Sequence, residues 1–113
     1  MKEIIIHQNY QVNFRGKKQK RIASMKYHNY AGFTAIITEL ENKEYAIQAS
    51  FCSKKDQFCR KTGVEEARKN IPVAVVKIKQ IPRVLQRLED SIHKGVDSRG
   101  CFGKYYRVAL SFA

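Results

Sequence analysis

Cationic side chains are concentrated in one stretch of this sequence, and their chemistry is the easiest to assign. Residues 15–26 contain six Lys and Arg and no Asp or Glu. Such a stretch releases counterions from a phosphate backbone, which gives binding that weakens steeply with salt. Tyr27 and Tyr30 follow it and offer aromatic faces on which unpaired bases can stack. The predicted contact residues of the stretch are Arg15, Lys17, Lys18, Lys20, Arg21 and Lys26.

Other cations extend this prediction more weakly. Lys77 and Lys79 alternate with apolar residues of a predicted strand, so they and Arg107 are predicted to extend the anion-binding surface. The cations around Glu65 and Glu66 have acidic partners at helical spacing, which is typical of a solvated helix face. No zinc finger, recognition helix or RNP-like aromatic signature occurs. The predicted partner is therefore RNA or DNA, held mainly through its backbone.

Length, charge and composition limit the class of protein. The chain has 113 residues, and 22 Lys and Arg against 10 Asp and Glu give a formal charge of +12. Its hydrophobic content of 43% is too high for a charge-extended disordered chain, so one folded domain over residues 1–113 is predicted. The apolar windows 34–40 and 71–81 are shorter than a membrane-spanning helix requires, and the N-terminus lacks a signal-peptide pattern. We therefore expect a cytoplasmic protein without membrane contact.

Three cysteines, Cys52, Cys59 and Cys101, are candidate metal ligands or nucleophiles. Their spacing lacks the close CxxC pairs typical of zinc sites, and an odd number cannot pair completely within one chain. Neither GxxxxGKS/T nor GxGxxG occurs, so no phosphate loop is predicted. The sequence thus predicts no metal and no cofactor, and reduced thiols. Cys52 and Cys59 are predicted to fill the contact between a strand and a helix.

Catalysis without a metal is an alternative. Small basic folds can cleave RNA with Lys, Arg, His and Tyr side chains that stabilise charge at the phosphate and transfer protons. Residue types that fit a toxin-type ribonuclease occur near the C-terminal end of the sequence: His93, Lys104, Tyr105, Tyr106 and Arg107. Because nothing in their spacing fixes a common geometry, the leading prediction contains no catalytic residue.

Alternation of apolar and polar residues predicts most of the strands that would position these side chains. Residues 4–14 predict one bent strand or two short strands, and a weaker pattern at 22–27 predicts a returning strand. The basic run 15–21 between them is predicted as a solvated loop, because such a run cannot enter a core. Residues 33–38 and 45–52, joined by a short polar connection, predict a β-hairpin.

A helix is predicted to follow the hairpin. Ser53 and Asp56 are typical of a helix start, which predicts a helix over about 54–70. Gly63 and Ala67 belong to a narrow stripe of small residues on this helix, which allows close approach to a sheet.

The C-terminal half predicts a strand at 73–78, a second helix and a final strand at 106–112. Pro82 suits the first turn of that helix, and Gly95 supplies its stop. The predicted order is ββ(β)β-α-β-α-β, a single small α+β domain in which two helices pack on a mainly antiparallel sheet.

The strand-to-helix segment 49–68 looks like a pattern in short uncharacterised phage and mobile-element proteins. In those proteins a hairpin strand leads into a helix of the form D-x-F-x4-G-x3-A, matched here by Asp56, Phe58, Gly63 and Ala67. The resemblance covers about a fifth of the chain and implies a similar fold and origin. It also implies an alternative function, an anti-defence or anti-CRISPR-like inhibitor that binds an acidic protein surface of a host nucleic-acid complex.

Overall fold

Four strands and three helices make up the described fold. The computed structural model describes residues 2–9, 30–53, 58–92 and 105–112. The elements are β1 (Glu3–Asn9), β2 (Tyr30–Glu39), β3 (Glu44–Ser53), α1 (Arg60–Lys69), β4 (Ala74–Lys77), α2 (Ile81–Ile92) and α3 (Tyr106–Leu110). The strands form one antiparallel sheet in the order β1-β2-β3-β4. The predicted α+β class, with helices on a mainly antiparallel sheet, is confirmed.

The predicted hairpin is confirmed as β2 and β3, which are the two central strands. Ile37 pairs with Ile47, and Phe33 pairs with Phe51. The polar connection is a short 3-10 turn at Glu41–Lys43, preceded by Leu40 in an extended conformation. The register therefore places the buried, odd-numbered residues of both strands on one face of the sheet.

The sheet is covered on both faces. Its odd-numbered β2 and β3 residues pack against α2 and α3 in the main core, whereas the even-numbered residues face α1. On the α1 side, the Ser50 hydroxyl donates a hydrogen bond to the Gly63 carbonyl at 2.7 Å. The Gln48 amide donates to the Asn70 carbonyl at 2.9 Å. Because β2 is covered on both faces, its residues 31–37 are continuously buried rather than alternating.

The second predicted helix is confirmed as α2. Its apolar stripe packs in the core, with Leu85 and Ile92 fully buried. The same helix buries Glu89, which accepts a hydrogen bond from the Tyr105 hydroxyl. This buried polar contact ties α2 to the residue that precedes α3.

The predicted C-terminal strand is wrong, because residues 106–110 form α3. The side chains that face the core are those at 105, 108, 109 and 112, which have the i, i+3, i+4, i+7 spacing of one helix face. Tyr106 and Leu110, which complete the alternating pattern, are both exposed. The apolar alternation at the C-terminus is therefore coincidental, and helical packing against α2 determines the local structure.

The first predicted helix starts later than expected. α1 begins at Arg60, with Cys59 in an extended conformation at the N-cap. Ser53 is the last residue of β3 and therefore does not cap this helix. Residues 54–57, where the helix was predicted to begin, lie outside the described part of the chain.

Two other strand predictions differ in extent. β1 ends at Asn9, and the predicted continuation to residue 14 and the returning strand at 22–27 lie outside the described residues. The strand predicted at 73–78 is the four-residue β4, followed by a 3-10 turn at Ile78–Gln80. β1 and β4 are the two edges of the sheet.

Candidate nucleic-acid interface

One end of the sheet is the attachment point of two basic segments. Asn9 and Ser53, the last residues of β1 and β3, pair with the first residues of β2 at 30–32. Segments 10–29 and 54–57 therefore leave the sheet at the same end, and together they contain eight Lys and Arg and one Asp. We call the end of the sheet formed by Asn9, Ser53 and residues 30–32 the basic end.

Most of the net charge lies outside the described fold. The described residues contain 11 Lys and Arg and 8 Asp and Glu, so they carry +3 of the formal charge of +12, and +9 belongs to the other segments. The following predicted contact residues lie outside the described part of the chain: Arg15, Lys17, Lys18, Lys20, Arg21, Lys26 and Tyr27. The geometry given below for the candidate site is therefore that of the described residues at the basic end.

Tyr30 is the predicted stacking residue that the structure describes, and it lies at the basic end. Its side chain is 37% exposed. Its ring centroid lies 5.0 Å from that of Phe51, which in turn lies 6.1 Å from that of the buried Phe33. A chain of aromatic contacts thus anchors Tyr30 to the core while part of its ring stays accessible for stacking.

A cleft of about 290 Å³ lies between the end of β3 and the start of α1, at the same end of the sheet as Tyr30. Phe58 is the aromatic side chain on the α1 side of this cleft, and hydroxyl, thiol and carboxylate groups provide polar walls. Phe51 also borders the cleft, but its ring packs beside Phe33 on the core face of the sheet. The lining residues are Thr34, Ser50, Phe51, Cys52, Ser53, Phe58, Cys59, Thr62, Gly63 and Glu66. An aromatic ring next to hydroxyl groups is chemically suited to an unpaired base or a sugar.

Two glycines allow the close packing that shapes this cleft. A Cβ at Gly32 would lie 2.2 Å from the Gln8 carbonyl oxygen and 2.7 Å from the Phe58 ring. A Cβ at Gly63 would lie 2.2 Å from Thr34 Oγ1, so α1 approaches the sheet through a position without a side chain. The D-x-F-x4-G-x3-A residues in the described chain therefore have a packing role, since Ala67 is also fully buried against the sheet.

The start of α1 is electropositive. Arg60 and Lys61 occupy its first turn, which contains no acidic residue. Cations at this end oppose the helix dipole and cost about 0.3–1 kcal/mol each at low salt. Within residues 58–92 and the other described ranges, neither side chain forms an ion pair. Helix stability therefore does not explain their position, whereas an anionic ligand would.

His7 lies close to the start of α1. Its Nδ1 is 3.0 Å from Thr34 Oγ1, and its ring meets Phe58 edge-to-face with centroids 6.2 Å apart. Partial burial, with a smaller contribution from Arg60, lowers the pKa of His7 below its usual value. The ring is therefore neutral near pH 7, and it supports Thr34 and Phe58 instead of contributing positive charge.

The two described cysteines both line the cleft, and the packing prediction is wrong for one of them. Cys59 is exposed, whereas Cys52 is half-buried. The nearby Thr62 hydroxyl, followed by the Thr62 amide, lowers the pKa of the Cys59 thiol. In the ranges that the structure describes, no three His, Cys, Asp or Glu side chains are close enough to hold a metal ion.

The remaining predicted contact residues lie elsewhere. Lys77 pairs with Glu44 at the opposite end of β3, about 30 Å from the basic end at roughly 3.3 Å per residue. Lys79 lies in the adjacent 3-10 turn. Arg107 is exposed on α3, a helix whose following residue Phe112 packs on Tyr45, next to Glu44 at that far end of β3. The structure therefore does not bring these three cations together with Tyr30.

The residues of the ribonuclease alternative are only partly described. Tyr105 is buried, and its hydroxyl donates to Glu89 in the core. Tyr106 and Arg107 are exposed on α3, while His93 and Lys104 lie outside the described residues. The Tyr105 hydroxyl is therefore engaged in a hydrogen bond inside the core.

Comparisons with known proteins give no further guide to this site. No family model, curated protein or solved structure matches the chain. None of the helices in the described ranges has the length and apolar character that crossing a membrane requires.

Sequence reasoning missed the cleft and the grouping at its rim. Arg60 and Lys61 can be recognised in the sequence only as cations on a predicted helix. The packing of α1 on β3 decides that they lie at the same end of the sheet as Tyr30. The sequence did contain one signal for this site. Two cations in the first turn of a helix, with no acidic residue there, are unfavourable for the helix itself.

Proposed function

We propose that this chain is a non-enzymatic, cytoplasmic protein that binds RNA or DNA mainly through phosphate contacts at the basic end. The basic stretch at 15–26 supplies most of the phosphate contacts, and Arg60 and Lys61 extend them. Tyr30 and the adjacent cleft accept unpaired bases. Lys77, Lys79 and Arg107 are too far away to join the same contact and remain candidates for a second, weaker one.

The observation that carries this proposal is the common attachment of two basic segments beside an exposed aromatic ring. Segment 10–29 alone carries six positive charges and no negative ones, which is half of the net charge. Both ends of this segment join the sheet at the basic end, where Tyr30 lies. Cationic side chains around a stacking platform are the arrangement used for binding single strands without sequence specificity.

The test is the salt dependence of binding to short labelled single- and double-stranded RNA and DNA. For a phosphate contact, the slope of log K against log salt falls by about 0.7–0.9 per contact removed. The triple variant K17Q/K18Q/K20Q should weaken binding to every sequence alike and reduce this slope by about 2–3 units. R60Q/K61Q should reduce it by about 1–2 units.

A matched control separates the site from general charge. R83Q/R87Q removes the same number of charges from the exposed face of α2, on the other side of the sheet. It should leave the slope close to that of the wild type. Tyr30→Leu should weaken binding to single strands far more than Tyr106→Leu, which changes an exposed Tyr on α3. Equal slopes in both double variants, or no binding at low salt, would overturn the proposal.

A second candidate is a protein-binding inhibitor of a nucleic-acid machine. The observation that favours it is a row of exposed apolar side chains in the edge strand β4 and the residues just before it: Ile71 at 87% exposure, Val73 at 53% and Val75 at 50%. An unpaired strand edge can accept a further strand from a partner. Lys77 and Lys79 continue the row, which suits an acidic segment, and the resemblance to mobile-element proteins agrees with this class.

This candidate predicts a stoichiometric complex that survives nuclease treatment. Val75→Lys should abolish such a complex without changing the salt slope for nucleic acid, because β4 lies far from Tyr30 in the order and register of the sheet. A complex that nuclease dissolves would instead be one bridged by RNA or DNA.

A further inference from the structure

The cleft brings together two thiols that the nucleic-acid proposal does not use. Cys52 and Cys59 both line it, and both are reduced. Cys52 is the final even-numbered residue on the side of β3 that faces α1, and Cys59 is the residue from which α1 starts.

Hydrogen bonds between β3 and α1 fix how the two cysteines are aligned. The Gln48 amide reaches the carbonyls of Arg68 and Asn70, and the Ser50 hydroxyl reaches that of Gly63. The two elements therefore run in opposite directions, so later residues of β3 face earlier residues of α1.

The same alignment extends to the thiols. From Ser50, two residues along β3 cover about 6.6 Å and reach Cys52. From Gly63, four residues back along α1 cover about 6 Å and reach Cys59. The steps match, so Cys52 and Cys59 occupy corresponding positions on the two elements, and both line the cleft between them. A disulfide needs Cα atoms within about 7 Å, and the missing side chain at Gly63 lets α1 lie unusually close to the sheet.

The two thiols have different environments. Cys59 is exposed at the N-cap, where the Thr62 hydroxyl and nearby amides lower the pKa of its thiol against opposing contributions from desolvation and Glu65. Arg60 and Lys61 add positive charge next to it. Cys52 is half-buried at the end of a strand. An exposed thiolate beside cations is the reactive member of such a pair, and the less exposed thiol is the resolving member.

We propose that Cys52 and Cys59 are a peroxide-reactive pair in which Cys59 is the nucleophile and Cys52 closes a reversible disulfide across the cleft. The Cys59 thiolate attacks one oxygen of a hydroperoxide and breaks the O–O bond. Cys59 becomes a sulfenic acid, and the leaving oxygen takes a proton and departs as water or an alcohol.

The second step forms the disulfide. The Cys52 sulfur attacks the Cys59 sulfur, the S–O bond breaks, and the hydroxide leaves as water with the proton of the Cys52 thiol. Two thiols lose two electrons in total, and the peroxide gains them. A cellular thiol such as glutathione can reverse the reaction by exchange. The disulfide would join β3 to α1 at the rim of the cleft, independently of any bound nucleic acid.

The first experiment uses the wild-type protein without nucleic acid. Alkylation with iodoacetamide at pH 7, followed residue by residue by peptide mass spectrometry, should label Cys59 several-fold faster than Cys52. Thr62→Val removes the hydroxyl that lowers the pKa of Cys59 while keeping its shape, so it should slow the labelling of Cys59 and leave Cys52 unchanged. Equal rates for the two cysteines in the wild type would overturn the assignment of the nucleophile.

The second experiment uses hydrogen peroxide on a Cys101→Ser protein, in which only Cys52 and Cys59 remain. Non-reducing peptide maps should contain a Cys52–Cys59 linkage that dithiothreitol removes. Adding Cys52→Ser should let dimedone trap a sulfenic acid at Cys59. The proposal is overturned if the oxidised product is a linkage between two chains, or if dimedone fails to label Cys59. Neither readout depends on nucleic-acid binding, so the two proposals can fail separately.

Discussion

Gly63→Ala should destabilise this fold, although the same change stabilises an ordinary solvated helix. Within a helix, Ala is favoured over Gly by about 1 kcal/mol. At position 63, however, the new methyl carbon would lie 2.2 Å from Oγ1 and 3.0 Å from Cβ of Thr34. Thr34 is 1% exposed and β-branched, so it has little freedom to move.

The expected size follows from these contacts. Overpacking of this kind costs about 1–3 kcal/mol. Displacing Thr34 also breaks its 3.0 Å hydrogen bond to His7, which is worth about 1 kcal/mol. After the helix propensity gained by Ala is subtracted, the free energy of unfolding should fall by about 1–3 kcal/mol.

Urea unfolding followed by circular dichroism measures this loss. The control is the double variant Thr34→Ala/Gly63→Ala, which removes the side chain that the new methyl group meets. Its destabilisation should be smaller than the sum of the two single changes by about 1 kcal/mol or more, because neighbouring residues are not additive. A Gly63→Ala protein as stable as the wild type, with the same urea dependence, would refute close contact between α1 and the sheet at this position.

Three further changes test other contacts. Leu85→Ala should lower the free energy of unfolding by about 2–5 kcal/mol in urea titrations, because Leu85 is fully buried in the core. Tyr105→Phe should cost about 1–3 kcal/mol in the same assay, since it removes a hydroxyl that donates to the buried Glu89. Burial lowers the pKa of His7 from 6.5, so the fold favours the neutral ring. The contribution of His7 to stability should be complete above about pH 6.5 and decline as pH falls through its lowered pKa. Urea midpoints of the wild type and His7→Asn between about pH 5 and 8 should converge as the pH falls, and parallel curves would contradict this reasoning.

Local patterns predict those elements whose burial repeats along a single face. The β2–β3 hairpin and α2 have such patterns, and the structure confirms both. The pattern misleads at residues 106–112, where the same apolar residues fit both a two-residue and a helical period. Docking of Tyr105 and Phe112 on the core selects the helix, and that choice depends on α2 and Tyr45, which are distant in sequence.

The candidate site likewise has features that the sequence predicts and features that depend on tertiary contacts. The prediction of an anion-binding protein rests on cation content and on Tyr30, because charge and aromaticity are properties of the residues themselves. The position of Cys59 is different. Its small side chain predicts packing, but the later start of α1 leaves it at an exposed helix terminus, on the cleft that Cys52 also lines.

The sequence by itself determined the excess of positive charge, the α+β class and the strands of the central hairpin, since these follow from composition and from local periodicity. Only the tertiary structure decided which residues share a surface. The register of β1, β2 and β3 brings the ends of two basic segments to Tyr30 and leaves Lys77 about 30 Å away. Contacts across the sheet and across the β3–α1 cleft join residues that are far apart in the chain. Local sequence patterns cannot predict such contacts.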